Sequence, residues 1–258
     1  MIRAVSRLGL SALLAGGVAV AAFIAPAPAR AMTVQPVVVD LTAAGRQMSA
    51  VVTVENSFAT PLPVEITGVE ATVSETGLTA TATPTNDLLI FPPQALIAPG
   101  QTQSFRIQWV GDPALPVSRH FFVTVAQLPV TLPQGQSAIQ ILYNFQVVVS
   151  VAPPGGRPHI VVDHTAIENT PDGKHHPVLF FTNNSNTHGY VSRGRLRILQ
   201  RDAQGHEIFR RSYTPAENLQ TIGFGLVAAG RLRRLPVDVD LPSGEGTVEA
   251  EYTPEARR

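Results

Sequence analysis

Ala138-Ile139-Gln140-Ile141-Leu142-Tyr143-Asn144-Phe145-Gln146-Val147-Val148-Val149-Ser150-Val151 runs through Ala152 into Pro153-Pro154-Gly155-Gly156-Arg157-Pro158. The alternation puts Ile139, Ile141, Tyr143, Phe145, Val147 and Val149 on one face. Gln140, Leu142, Asn144, Gln146, Val148 and Ser150 fall on the other, which is the pattern of a β-strand. A slip of one residue would exchange the two faces, so the register is strongly encoded. The Pro/Gly stretch that follows pairs poorly in a central strand and divides the chain near its middle.

The same period of two recurs on both sides of that stretch. Before it lie Ala50–Glu55, Pro63–Val73, Thr102–Val110 and Phe121–Leu128, separated by turns such as Ala98-Pro99-Gly100 and Pro133-Gln134-Gly135. After it come Ile160–His164, Val178–Asn183, Gly194–Gln200, Leu232–Asp240 and Thr247–Tyr252, with no amphipathic helix of three turns. Short alternating runs at this spacing predict an all-β chain and argue against a βαβ fold. The expected architecture is two immunoglobulin-like β-sandwich domains, residues 32–153 and 154–258, joined by the Pro/Gly elbow.

The first 31 residues read as an export signal. Arg3 and Arg7 supply a positive start, Leu8–Ile24 is uncharged and apolar, and Ala29-Arg30-Ala31 gives a small-x-small cleavage pattern. No later stretch is long and apolar enough to span a bilayer, so no stable membrane insertion is expected of the mature chain. Cysteine is absent, which excludes disulfides, thiol nucleophiles and thiolate metal sites. The net charge of zero hides an asymmetry: Met32–Ala152 has three arginines against seven acids, and Pro153–Arg258 has thirteen bases against twelve acids. Neither half has the basic excess of a nucleic-acid binder.

Several segments, taken in order, resemble the periplasmic chaperones of chaperone–usher pilus assembly, the PapD-like family. Val51-Val52-Thr53-Val54-Glu55-Asn56 is similar to its strand ending in Asn. Phe91-Pro92-Pro93 and Pro99-Gly100-Gln101 are similar to its proline-rich approach to a Gly-Gln turn. Leu115-Pro116-Val117-Ser118-Arg119 and Phe121–Pro129 follow as its Leu-Pro-x-x-Arg loop and next strand, and Ala138–Pro153 as the last strand of its first domain. In the second half Phe180–Ser185 resembles a strand-Asn-Pro-Ser segment, with Asn184 where proline is usual.

The resemblance implies a non-enzymatic, periplasmic chaperone without a cofactor. Its partners would be pilin or coat-protein subunits and an outer-membrane usher. Such chaperones lend alternating side chains of that last strand to an incomplete subunit, a form of strand addition. Phe145–Val151 are expected to cover the chain's own core; for Ile139, Ile141 and Tyr143 the resemblance favours donation to the client. One departure is plain. The family holds the subunit's terminal carboxylate with an Arg and a Lys, and the matching positions here are Val38 and Val148. Arg193, Arg195 and Arg197, at period two, are candidate replacements; a solvated sheet face is the plainer reading of them, and Arg231, Arg233 and Arg234 share that ambiguity.

Other signals are weaker. Gly223-Phe224-Gly225-Leu226-Val227-Ala228 fits a loose dinucleotide pattern but lacks a βαβ setting and reads as a loop. His175-His176, with Asp172 or His164, would hold a metal only if the chain bent, because strand neighbours face opposite ways. Two alternatives stay open: an exported fibre or coat subunit, with Thr33–Val38 as its donor extension, and an exported hydrolase on a sandwich scaffold.

Overall fold

A computed structural model describes residues 31–130 and 141–255. The predicted export segment, apart from Ala31, and Ile139 lie outside these residues. The N-terminal half contains β1 (Met32–Gln35), β2 (Val38–Thr42), β3 (Ser49–Asn56), β4 (Leu62–Ser74) and β5 (Gly77–Pro84). It continues with β6 (Leu88–Phe91), β7 (Gln94–Ile97), β8 (Thr102–Trp109), β9 (Arg119–Gln127) and β10 (Asn144–Ala152). One sheet has the order β1-β3-β8-β6; the other is β2-β10-β9-β4-β5, with β7 also on β4. The opening segment thus changes sheets at Pro36, which has no N–H to offer a ladder. β1 pairs antiparallel with β3, whereas β2 pairs parallel with β10.

Alternation explains the packing. Val52 and Val54, Phe105, Ile107 and Trp109, Phe121, Val123 and Val125, and Val147, Val149 and Val151 all point between the sheets and are buried. The two inner faces interdigitate as in an aligned sandwich. Arg119, at the start of β9, bonds Asp87 at 2.6 Å and also Glu70, with its guanidinium over Trp109 and Phe121. It is a structural ion-pair group at the rim of this core.

The C-terminal half forms a second core. Its elements are β11 (Ile160–Asn169), β12 (His175–Asn183), β13 (Gly189–Tyr190), β14 (Gly194–Arg201), β15 (Glu207–Tyr213), α1 (Pro215–Thr221), β16 (Leu226–Val227), β17 (Leu232–Pro236) and β18 (Thr247–Pro254). Sheets β11-β12-β17 and β15-β14-β18 enclose Leu179, Phe181, Leu196, Ile198, Tyr213 and Leu235, and β13-β16 forms a separate pair. The short helix α1, about two turns long, is fixed by a capping box between Thr214 and Glu217, with Pro215 opening the helix.

Three expectations need correction. Among the described residues, the strand expected from Ala138 begins at Asn144, and residues 141–143 precede it outside any strand. Extending the β9–β10 register sets Ile141 opposite Pro129, which cannot donate to a ladder. β17 stops at Pro236 instead of continuing to Asp240. His175-His176, which the sequence reads more plainly as an exposed turn than as a metal site, instead opens β12 and is partly buried.

Asn ends the matching strand in each half for a physical reason. Buried Asn56 donates Nδ2 to the carbonyls of Thr60 (2.9 Å) and Ile97 (2.8 Å), and its Oδ1 accepts from Phe58 N. Asn183 repeats the device, donating to Thr187 O (2.8 Å) and Val227 O (3.1 Å). Each amide pairs backbone groups where a strand leaves its ladder. Asn56→Ala is therefore expected to cost about 2–4 kcal/mol, because buried carbonyls lose their donor. Urea unfolding measures it, and a loss below about 0.5 kcal/mol would contradict this role for Asn56.

Candidate functional site

Strand β10 has two unlike halves. Val148–Ala152 pairs with β9 on one edge and with β2 on the other, whereas Asn144–Val147 pairs with β9 alone among the described residues. Val148 N donates to Val37 O at 3.0 Å, so even-numbered residues direct their backbone groups to the β2 edge. Odd-numbered Tyr143 accepts from Gln127 N on the β9 edge at 2.9 Å. Asn144 and Gln146 consequently point their N–H and C=O groups at an open edge.

The side chains change along the same line. Val149 and Val147 are fully buried and Phe145 is partly buried; Tyr143 is 37% exposed and Ile141 is 70% exposed. The alternating apolar series therefore leaves the chain's own core where its outer edge also becomes free. Tyr143 keeps one ring contact, with Phe58 at 5.9 Å. Ile141 and Tyr143 thus sit beside the open edge.

Sequence reasoning missed what ties the two sandwiches together. Asp40 on β2 accepts from Tyr190 Oη (2.7 Å) and Arg193 (2.5 Å), and lies 3.1 Å from His188 Nε2. Ser118 Oγ accepts from His188 N at 2.9 Å and lies 3.0 Å from its Nδ1. Burial alone would raise the Asp40 pKa, but hydrogen bonds from His188, Tyr190 and Arg193 outweigh it and hold the carboxyl well below its ordinary range. Ser118, His188 and Asp40 form the sequence of contacts seen in a hydrolytic triad, yet His188 is buried and the serine is fixed by a backbone N–H. The cluster is an interdomain clasp. The one available signal was Asp40 itself, an acid within the apolar run Val37-Val38-Val39-Asp40-Leu41.

A second bridge joins the β4–β5 hairpin to β17: Arg234 N donates to Glu75 O at 2.9 Å. A cleft of about 270 Å3 is lined by residues of both sandwiches, among them Val38, Val148, Tyr190, Phe224, Leu226 and Arg233. Val38 and Val148 are direct partners across the β2–β10 ladder. The two valines that replace the expected basic pair therefore stand side by side in the cleft wall. Arg233 reaches the cleft from β17, and burial lowers its pKa.

The candidate arginines are placed differently from one another. Arg193 ends a short 3-10 turn, stacks 4.3 Å from the Tyr190 ring and pairs with Asp40. Arg195 (3.5 Å from Glu255, just past β18) and Arg197 (paired with Glu251 on β18) lie on exposed positions of β14. Each has an acidic partner within the chain. Gly223 and Gly225 adopt positive φ in a loop whose Phe224 and Leu226 reach the cleft. His175 bonds Asn169 and His176 bonds Val239 O, and no metal-binding group of three side chains occurs among the described residues.

Residues 31–156 match the family model for the pili and flagellar-assembly chaperone, PapD N-terminal domain. No curated protein matches the chain. Among solved structures it is similar to the class 5 fimbriae chaperone CfaA, with TM-score 0.52 and 11% identity over 88% of this chain and 94% of that one. The E. coli chaperone DraB gives 0.50 and 15% over 87% and 98%. A chain of a chaperone–tip adhesin complex of CFA/I fimbriae biogenesis gives 0.51 and 11% over 88% and 94%. At these identities the likeness establishes the fold, two immunoglobulin-like sandwiches in series. No helix among the described residues is long and apolar enough to cross a membrane.

His120 lies against the clasp, its ring 5.4 Å from that of His188 and its Nδ1 2.9 Å from Ser150 Oγ. Burial, aided by His188 and opposed by Asp40, pulls its pKa from 6.5 down to about 3. A histidine held neutral in the fold contributes fully above pH 6.5, and its contribution is lost as pH falls toward 3. At pH 5 this loss amounts to about 2 kcal/mol. Urea unfolding at pH 7 and pH 5 is expected to show a clearly smaller acid loss for His120→Gln than for the parent. Equal losses would contradict the assignment.

Proposed function

We propose, from the match of residues 31–156 to the family model for the pili and flagellar-assembly chaperone, PapD N-terminal domain, that the chain is a periplasmic chaperone that captures pilin-like subunits by donor-strand complementation. It then delivers them to an outer-membrane usher. The observation that carries this reading is the open edge of β10 together with the apolar side chains that emerge beside it. Backbone pairing at Asn144 and Gln146 gives an incoming strand affinity, and alternate side chains give it register. Covering Ile141 and Tyr143 adds roughly 2–4 kcal/mol before ordering costs. The export segment read at residues 1–31 fits a periplasmic station, and the action is binding, with no bond made or broken. The chaperone–tip adhesin complex among the similar structures fits a client of the pilin or coat-subunit class.

The alternative, a fibre subunit using Thr33–Val38 as its own donor extension, is less well supported. Thr33, Val34 and Gln35 already pair with β3, and Val38 pairs with β10. Those groups are occupied within the chain.

A charge at Ile141 or Tyr143 is tolerated in the free protein, where both are solvent-accessible, but not inside a completed client core. Ile141→Asp and Tyr143→Asp are each expected to weaken capture of a co-expressed subunit by about 10- to 100-fold while leaving the unfolding midpoint in place. Leu142→Asp, on the opposite face, is expected to bind within a few-fold of wild type. Pull-down of the subunit checks all three, and equal capture by Ile141→Asp and the parent would remove Ile141 from the donor series.

A further inference from the structure

The cleft contains a cation without a counter-charge. Among the described residues Arg233 Nε is buried without a hydrogen-bond partner, and its Nη1 makes only a long contact, 3.4 Å, with the backbone carbonyl of Glu75. No carboxylate lies within ion-pair distance of Arg233 among the described residues, whereas the neighbouring Arg234 pairs with Glu168 at 2.8 Å. Its surroundings are apolar: Val38, Val148, Phe224 and Leu226 line the same cleft. Gly77 makes room for the guanidinium, since a Cβ there would lie 3.0 Å from Nη1. A half-buried guanidinium with a free edge is a strong binding element for a planar anion, which it takes with short charge-assisted hydrogen bonds.

The strand topology indicates which anion. A strand added to β10 runs along Asn144–Val147 and meets β2, which occupies the same edge from Val148 onward. The added strand must therefore end at the Val38–Val148 pair, on the wall of the Arg233 cleft. An ammonium end would be repelled there and a carboxylate end attracted. We propose that Arg233, from the second sandwich, holds the C-terminal carboxylate of the added strand and so selects a strand running parallel to β10. This rests on the strand-addition reading above. It moves the anion anchor off the β2–β10 pair, where Val38 and Val148 stand, and away from Arg193, Arg195 and Arg197, whose charges are already matched.

The test observes Arg233 directly. Nitrogen-15 spectra of the full mature chain resolve arginine Nε–H signals, and Arg233→Gln assigns the one in question. Titration with N-acetyl-leucine at neutral pH is expected to move that signal saturably, together with the methyls of Val38 and Val148; N-acetyl-leucinamide is expected to leave all three in place. No difference between acid and amide would overturn the anchor. A twelve-residue peptide of alternating valine and threonine, as free acid and as amide, extends the test to a strand. The acid is expected to bind about 10- to 100-fold more tightly than the amide to wild type and to Arg234→Gln, and equally with the amide to Arg233→Gln. Equal binding of both peptides to wild type, lost in Ile141→Asp, would overturn the anchor and keep strand addition. A response to N-acetyl-leucine with no binding of either peptide would keep the Arg233 anion site but remove its link to strand addition.

Discussion

The pairing of β10 is limited by where β2 begins. A β-strand has two hydrogen-bonding edges, and both must be paired or wet. From Val148 onward β2 closes the outer edge, and Val147, Val149 and Val151 are sealed in the core. Before Val148 no such partner occurs among the described residues, so Asn144 and Gln146 face outward while Phe145, Tyr143 and Ile141 become progressively exposed. β2 cannot extend back to cover them because the chain crosses to the other sheet at Pro36 and Val37. One connection thus builds the sandwich and leaves its edge unfinished.

The second sandwich gives that edge an end. Two interdomain bridges, the Asp40 clasp and the Glu75–Arg234 contact, hold the cleft residues of both sandwiches together. Asp40 and Val38 are neighbours on the same outward face of β2, one binding the second sandwich and the other lining the cleft. Asp40 is partly buried, and its bonds from His188, Tyr190 and Arg193 offset the cost of desolvating its charge, so losing one partner leaves that cost less well matched. The clasp is therefore a specificity device: it sets where the second sandwich sits relative to the unfinished edge.

Much of this was legible in the sequence because period-two alternation with one buried face leaves a clear record. β3, β8, β9 and β10 were read from apolar alternation, and the elbow from Pro153–Pro158. β5 and β15 were missed because their sequences, Leu78-Thr79-Ala80-Thr81 and Phe209-Arg210-Arg211-Ser212, bury little apolar surface and contrast weakly between faces. The alternation carries the expected strand on through Ile141 and Tyr143, whereas among the described residues β10 begins at Asn144. The clasp was illegible for a different reason. Asp40, Ser118 and His188 are far apart in the chain, and only the packing of one sandwich on the other brings them together. Arg233 could be named from the sequence but not distinguished from Arg231 and Arg234, because what sets it apart is the partner it lacks.

Amide hydrogen exchange, read residue by residue with and without a bound subunit, tests the open edge most directly. In the free chain Phe145 and Val147, whose N–H groups face β9, should exchange slowly, whereas Asn144 and Gln146 should exchange fast. Binding of a subunit should slow Asn144 and Gln146 strongly and change Phe145 and Val147 little. Fast exchange at Gln146 in the saturated complex would contradict strand addition at this edge.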